Sequence, residues 1–256
     1  LLHRKGIKWF KKILLDKYFR KEIKPLRKEP ENKLIDYLGW HKQNEDYLFV
    51  GLPLLSGRLS GKKKSLIRDI VKENNLDLRL TPNQDILLCN IPNKNKSEIK
   101  KTLKKIGYDN LNDINEIQRH ALACPALPLC GLAMTEAERI LPEVLTRIEK
   151  LLNDMNIEKT ILFRMTGCPN GCTRPYMAEL ALVGSGQNKY QLWLGGSKNL
   201  QRLAKPYLQR MELDELEKTI QPLLELWKKS SPEKDFGDFI NNQKESIITS
   251  LLNEIN

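Results

Sequence analysis

Apolar residues recur along this chain at two spacings, that of a helix face and that of a strand face, and the switches between them divide it. From residue 1 to about 20, Ile7, Phe10, Leu14 and Tyr18 share one helical face among many lysines, which predicts an amphipathic surface helix. Residues 22 to 36 are polar and carry Pro25 and Pro30, the composition of a linker or domain crossing. Tyr47 to Leu52 then reads as a strand, and Lys62 to Asn75 as a helix with Leu66, Ile67, Ile70 and Val71 facing inward. Leu76 to Leu80 alternates like a strand, Ile86 to Ile91 is a second apolar run, and a Lys-rich helix follows with Ile99, Leu103 and Ile106 on one side.

That order of strand, helix, strand, strand and helix resembles a small ferredoxin-like α+β unit. Beyond residue 111 a short helix is expected to end near Ala121. Gly131 to Arg139 reads as a helix start, with Thr135 and Glu138 at capping-box spacing. Pro142 to Asn153 follows as a helix with Val144, Leu145, Ile148 and Leu152 aligned. Thr160 to Met165 is a strand, and Ala178 to Val183 and Tyr190 to Leu194 form an antiparallel pair joined by Gly184-Ser185-Gly186-Gln187-Asn188. Two helices divided near Ser231-Pro232 are expected to close the chain. There is no internal repeat.

The 256 residues, 40% of them hydrophobic, suffice for a packed core, and no apolar run approaches bilayer length. The sequence opens on Leu1 with neither a signal-like segment nor a transit pattern, and is expected to be the end of a longer protein whose targeting segment, if any, lies upstream. Lys and Arg outnumber Asp and Glu by 43 to 32, a net charge of +11 that favours acidic partners. Nucleic acid, an anionic membrane and an acidic protein all qualify, as does a plain Lys-rich solvated surface.

Four of the five cysteines gather in two short loops, Ala123-Cys124-Pro125-Ala126-Leu127-Pro128-Leu129-Cys130-Gly131 and Thr166-Gly167-Cys168-Pro169-Asn170-Gly171-Cys172. Clustered thiols with one left over point to metal ligation in a reducing compartment rather than to a disulfide framework. Soft thiolates select zinc or iron–sulfur clusters. Structural zinc sites use ligand pairs about two to four residues apart, so the wider spacing of Cys124 and Cys130 suits zinc poorly. Small apolar neighbours leave room for a bulky cluster. Spacing alone thus favours an iron–sulfur cluster and leaves zinc, disulfides and free thiols open; a zinc-stabilised nucleic-acid module is the reading from another class.

The flanking residues sharpen the choice. Ala123 to Arg139, with Cys-Pro-Ala-Leu-Pro-Leu-Cys-Gly-Leu-Ala-Met-Thr-Glu-Ala-Glu-Arg, resembles the first cluster motif of the ferredoxin-dependent sulfite reductases. Arg164 to Leu182 resembles their second, and Tyr190 to Gly196 and Leu78 to Leu88 also match. The resemblance covers essentially the whole chain. It implies an α+β architecture: residues 1–36 as the end of a preceding central domain with a linker, 37–110 as a ferredoxin-like nitrite/sulfite reductase half-domain, and 111–256 as an α/β domain binding sirohaem and a 4Fe–4S cluster. It implies Cys124, Cys130, Cys168 and Cys172 as cluster ligands, with Cys172 also the axial ligand of the sirohaem iron, and Thr81, Gln84 and Asn170 as further cofactor contacts. The implied reaction is the six-electron reduction of sulfite to sulfide in sulfate assimilation, with reduced ferredoxin, an acidic protein, as electron donor. No membrane or nucleic-acid partner is implied. Localisation would be cytoplasmic, or the plastid stroma if a transit peptide precedes the chain.

Pro125-Ala126-Leu127-Pro128, Glu136-Ala137-Glu138-Arg139 and Thr173-Arg174-Pro175 resemble the sulfite branch more than ferredoxin–nitrite reductase, the alternative with the same cofactors. The basic residues that hold the substrate anion are expected mostly in a missing N-terminal half, so none is assigned here, and the isolated chain is expected to be inactive. Asp85 stands where the family often has Asn, placing an anion near a carboxylate-rich cofactor. Cys89 reads as a buried strand residue, and His3, His41 and His120 show no ligand spacing.

Overall fold

The computed structural model describes residues 2–19, 34–111 and 114–253. The chain forms two compact units, Leu1–Asn32 and Lys33–Asn256. In the first, helix α1 (Leu2–Lys17) carries the expected amphipathic pattern, bends at Gly6, where φ is 79°, and buries none of its residues. The linker expected over 22–36 lies outside the described residues up to position 33.

The second unit holds two sheets. Strands β1 (Gly39–Lys42), β2 (Tyr47–Leu52), β3 (Asp77–Leu80) and β4 (Ile86–Pro92) form an antiparallel sheet in the order β1-β2-β4-β3. Helices α2 (Gly61–Glu73) and α3 (Lys96–Lys104) seal it, packing Ile67, Ile70, Ile99 and Leu103 against Val50, Leu52, Leu88 and Ile91. This is the expected ferredoxin-like unit with β1 added. The alternation at 76–80 does not produce a half-buried strand: all four residues of β3 are exposed. Leu78 and Leu80 register with Leu88 and Ile86, yet β3 is the sheet edge and the helical layer stops short of it. Cys89 is buried in β4, as expected.

The second sheet runs β5 (Leu122–Ala123), β6 (Phe163–Thr166), β7 (Leu180–Gly186), β8 (Lys189–Leu194), β9 (Lys205–Glu212). The β5-β6-β7 pairings are parallel and β7-β8-β9 antiparallel. Short helix α4 (Glu116–His120) leads into β5, and α5 (Leu141–Asp154) crosses from β5 to β6. The α5 stripe Leu141, Val144, Leu145, Ile148 and Leu152 returns to one face every three or four residues, and all five are buried. They pack with Phe163, Met165, Leu180 and Leu192 and with Ile220, Leu223 and Trp227 of α6 (Leu216–Ser230). Helices α7 (Phe236–Asn242) and α8 (Glu245–Asn253) complete this face, so among the described residues three helices rather than two follow β9, the extra break falling at Gln243-Lys244. Gly131 to Arg139 is not helical. Tertiary partners take both intended capping groups: the Thr135 hydroxyl donates to Tyr190 Oη (3.0 Å), and Glu138 pairs with Arg58.

Candidate metal centre

Strands β5 and β6 are parallel neighbours, Leu122 opposite Arg164 and Ala123 opposite Met165. Cys124 follows β5 directly, and Gly167-Cys168 follows β6. The two cysteine loops therefore leave the sheet side by side at the carboxyl ends of its strands, where open α/β sheets place ligands.

Backbone hydrogen bonds stitch the loops together. The Gly167 N–H donates to Cys124 Sγ (3.3 Å), and the Gly167 carbonyl accepts from Met134 N (2.8 Å) and Thr135 N (3.3 Å). Cys130 N donates to Ala126 O (2.7 Å) and Glu138 N to Cys124 O (3.1 Å). Position 167 has no space for a side chain: a Cβ would stand 2.7 Å from both Ala126 Cβ and Thr135 O. The second loop is braced from within by Thr166 Oγ1 to Cys168 O (3.0 Å), Thr173 Oγ1 to Met165 O (2.9 Å) and Tyr176 Oη to Pro169 O (2.6 Å). Removing one such brace should have a modest effect. Tyr176→Phe is expected to lower stability by about 1 kcal/mol, read as a shifted urea midpoint at unchanged slope.

All five cysteines are free thiols; Cys124 and Cys168 are buried, Cys130 half-buried and Cys172 exposed. Burial pushes the Cys124 thiol up, the Gly167 and Ala126 N–H groups pull it down, and the thiols of Cys172 and Cys168 push it up again. Both of those thiols thus act electrostatically on Cys124. Among the described residues no three His, Cys, Asp or Glu side chains close on a point that would hold a single ion. The thiols are spread rather than converged.

Of the other expected contacts, Gln84 reaches the centre. In the left-handed region (φ 67°), it donates Nε2 to Ala123 O (2.9 Å), beside Cys124, while its buried Oε1 has no partner. The Thr81 hydroxyl instead accepts from Asn83 N (3.2 Å) and Asp85 N (3.1 Å) inside its own turn. Asn170 is exposed in the second loop. The Asp85 carboxylate accepts from Leu54 N (3.0 Å), and burial raises its pKa to about 6.

Arg164 carries a signal the sequence reading left unused, a cation on the strand entering the second loop. Its side chain is fully buried, with Nη1 donating to Arg174 O (3.2 Å) and Nε unpartnered. Burial, with repulsion from Arg174, lowers its pKa to about 10, so it remains charged at neutral pH. His120 is half-buried and desolvation lowers its pKa; its Nδ1 is also unpartnered. His41 stacks on Phe49 at 4.8 Å, a packing role.

A ferredoxin-like unit joined to a mixed sheet whose neighbouring parallel strands end in paired cysteine loops defines an α+β module. Known proteins share it. Residues 41–106 match the nitrite/sulfite reductase ferredoxin-like half domain. The sulfite reductase (ferredoxin) of Synechococcus elongatus is 44% identical over 245 residues, covering 93% of this chain and 39% of that protein. The sulfite reductase (NADPH) hemoprotein beta-component of Staphylococcus carnosus is 36% identical over 245 residues, covering 93% of this chain and 42% of its own. The solved NirA protein of Mycobacterium tuberculosis shares the fold, with a TM-score of 0.75 at 22% identity over 96% of this chain and 48% of that one. The chain belongs to the nitrite/sulfite reductase family. It spans about two fifths of the length of the curated relatives it matches.

Proposed function

We propose that the chain is the cluster-binding portion of an assimilatory sulfite reductase, in which Cys124, Cys130, Cys168 and Cys172 would hold a 4Fe–4S cluster and Cys172 would also ligate a sirohaem iron. The observation that carries this reading is the pairing of the two thiol loops on adjacent parallel strands, with the Gly167 N–H aimed at Cys124 Sγ. The residues fit the group. Four soft thiolates suit iron–sulfur chemistry. An amide donating to a ligand sulfur is the kind of contact that tunes a cluster's potential. Ala126, Ala133 and Gly167 keep bulky side chains out of the space between the loops. The exposure of Cys172 leaves one side of its sulfur open, as a ligand shared between two groups requires.

Bound together, sirohaem and cluster supply the six-electron reduction of sulfite to sulfide, with reduced ferredoxin as donor. The chain's own residues hold and orient the thiolates, and Gln84 and Asn170 are proposed to contact the cofactors, with the Thr81 hydroxyl proton still free to do the same. Its surplus of basic residues suits an acidic donor protein. In the cell this reading fits the cytoplasm or a plastid stroma. Reduction of nitrite by the same cofactors is the alternative; the residues between Cys124 and Cys130 favour sulfite. Residues 1–256 alone are expected not to turn over sulfite.

Anaerobic reconstitution with ferrous iron and sulfide tests the centre. The expected result is iron and acid-labile sulfide bound in equal amounts with a broad visible absorption. Stoichiometric zinc without that absorption would overturn the reading. In sirohaem-loaded protein, Cys172→Ser should disturb both the cluster and the sirohaem spectra, and loss of one alone would argue against a shared sulfur.

A further inference from the structure

Three contacts join the ferredoxin-like unit to the two cysteine loops or the residues that follow them, and none involves a thiol. Arg58, between β2 and α2, makes a two-pronged pair with Glu138, Nε to Oε1 and Nη2 to Oε2, the second bond at 2.7 Å. The Glu138 side chain is only 12% exposed, and its backbone N–H donates to the Cys124 carbonyl. Gln84 Nε2 holds the carbonyl of Ala123, the residue before Cys124. From the other side Arg174, two residues past Cys172, donates Nη2 to Pro82 O (2.7 Å). The single turn at 81–85 therefore touches both loops. Arg174 itself sits in the left-handed region (φ 56°, ψ 49°), a conformation that needs outside support for a residue with a Cβ, and buried Arg164 grips its carbonyl.

We infer that Arg58–Glu138, Gln84–Ala123 and Arg174–Pro82 form a latch through which the ferredoxin-like unit sets the position of the two thiol loops relative to each other. Arg58, Gln84 and Arg174 are positioning residues for the cysteine site. The inference deepens the cluster reading and rests on it for its metal readout, but the latch is also visible in the thiols alone. The Arg58 end of its pair is half exposed and the other two contacts are single hydrogen bonds to backbone carbonyls, so each contributes only modestly to folding. Contacts that orient ligands from behind typically change metal affinity by about 10- to 100-fold. Loss of the latch should therefore act on the site far more than on the fold.

The test compares Arg58→Gln and Arg174→Gln with the unaltered chain and with Arg68→Gln, which breaks the exposed Arg68–Asp69 pair on α2. In protein loaded with iron and sulfide, the first two should release iron to a chelator about tenfold faster while the thermal midpoint moves by only about 2–4 °C. Arg68→Gln should behave as the unaltered chain. Arg58→Lys, which keeps the charge without the fork, should recover part of the loss. Equal release from all would overturn the latch. In metal-free protein the alkylation rate of Cys124 should rise relative to that of Cys89, since the two start 6% and 4% exposed. If the unaltered chain takes up no cluster, the cluster reading fails and this ratio alone decides: a raised ratio supports the latch and an unchanged one overturns it. If Cys89 opens as far as Cys124 in both variants, the contacts merely hold the fold and the latch is likewise overturned.

Discussion

Gly184→Ala is expected to destabilise the chain by about 3 kcal/mol, the upper end of overpacking effects and more than a hundredfold in the folded-to-unfolded ratio. Gly184 lies buried in β7, where an added Cβ would stand 2.2 Å from Gly167 O, 2.4 Å from Gly167 C and 2.8 Å from Thr135 Cγ2. Two of these are backbone atoms, so no rotamer change relieves the clash. Nor can the Gly167 peptide retreat freely, because its carbonyl holds Met134 N and Thr135 N while its N–H holds Cys124 Sγ. The substitution must push apart the two loops that carry the thiols, and cysteine reactivity should change along with stability. Gly186→Ala on the same strand is the control: its Cβ would meet nothing closer than Arg210 Nη2 at 3.7 Å. A Gly184→Ala urea curve within about 0.5 kcal/mol of the unaltered chain, the range of ordinary surface changes, would refute the account.

The same close approach explains which parts of the centre were legible in the sequence. Within each pair, Cys124 with Cys130 and Cys168 with Cys172, only a few residues intervene, and such local spacing survives translation into structure. What brings the pairs together is not local. It depends on β5, two residues long and too short to leave a periodic trace, lying parallel to β6. Strand β9 escaped for the opposite reason: of its eight residues only Met211 is buried, so no alternation marks it. At Gly131 to Arg139 a local rule lost to distant partners, because Thr135 bonds to Tyr190 and Glu138 to Arg58, 80 residues away. Asp85 shows the same dependence on a distant partner. An anion after Gln84 read from the sequence as out of place beside a carboxylate-rich cofactor, and its carboxylate is engaged instead by Leu54 N on a different connection. The helix α5 was readable because its stripe of five apolar residues faces a single core.

The second large effect is a loss of stability as pH rises from about 4.5 to about 7, carried by Glu179. This side chain is fully buried, and its two oxygens accept from Leu162 N and Gly237 N, both at 2.8 Å, tying α7 to the sheet. Burial raises its pKa from 4.5 to about 7; the two N–H donors and Lys198 oppose that rise, and Asp235 adds to it. Between those values the folded chain keeps a proton that the unfolded chain has released, so stability falls with rising pH across the window and levels off above about 7. At about 1.4 kcal/mol per pKa unit the loss is on the order of 3 kcal/mol. Asp85, raised to about 6 by its own burial, adds a slope of the same sign. Comparison with Glu179→Gln separates the two, since the variant retains Asp85 but cannot ionise at 179. Urea unfolding at about pH 5 and about pH 7.5 should show the unaltered chain losing about 2 kcal/mol more than the variant, most of the full loss. Parallel losses in the two proteins would mean that the carboxyl at 179 is already ionised in the folded state, its two backbone donors outweighing its burial.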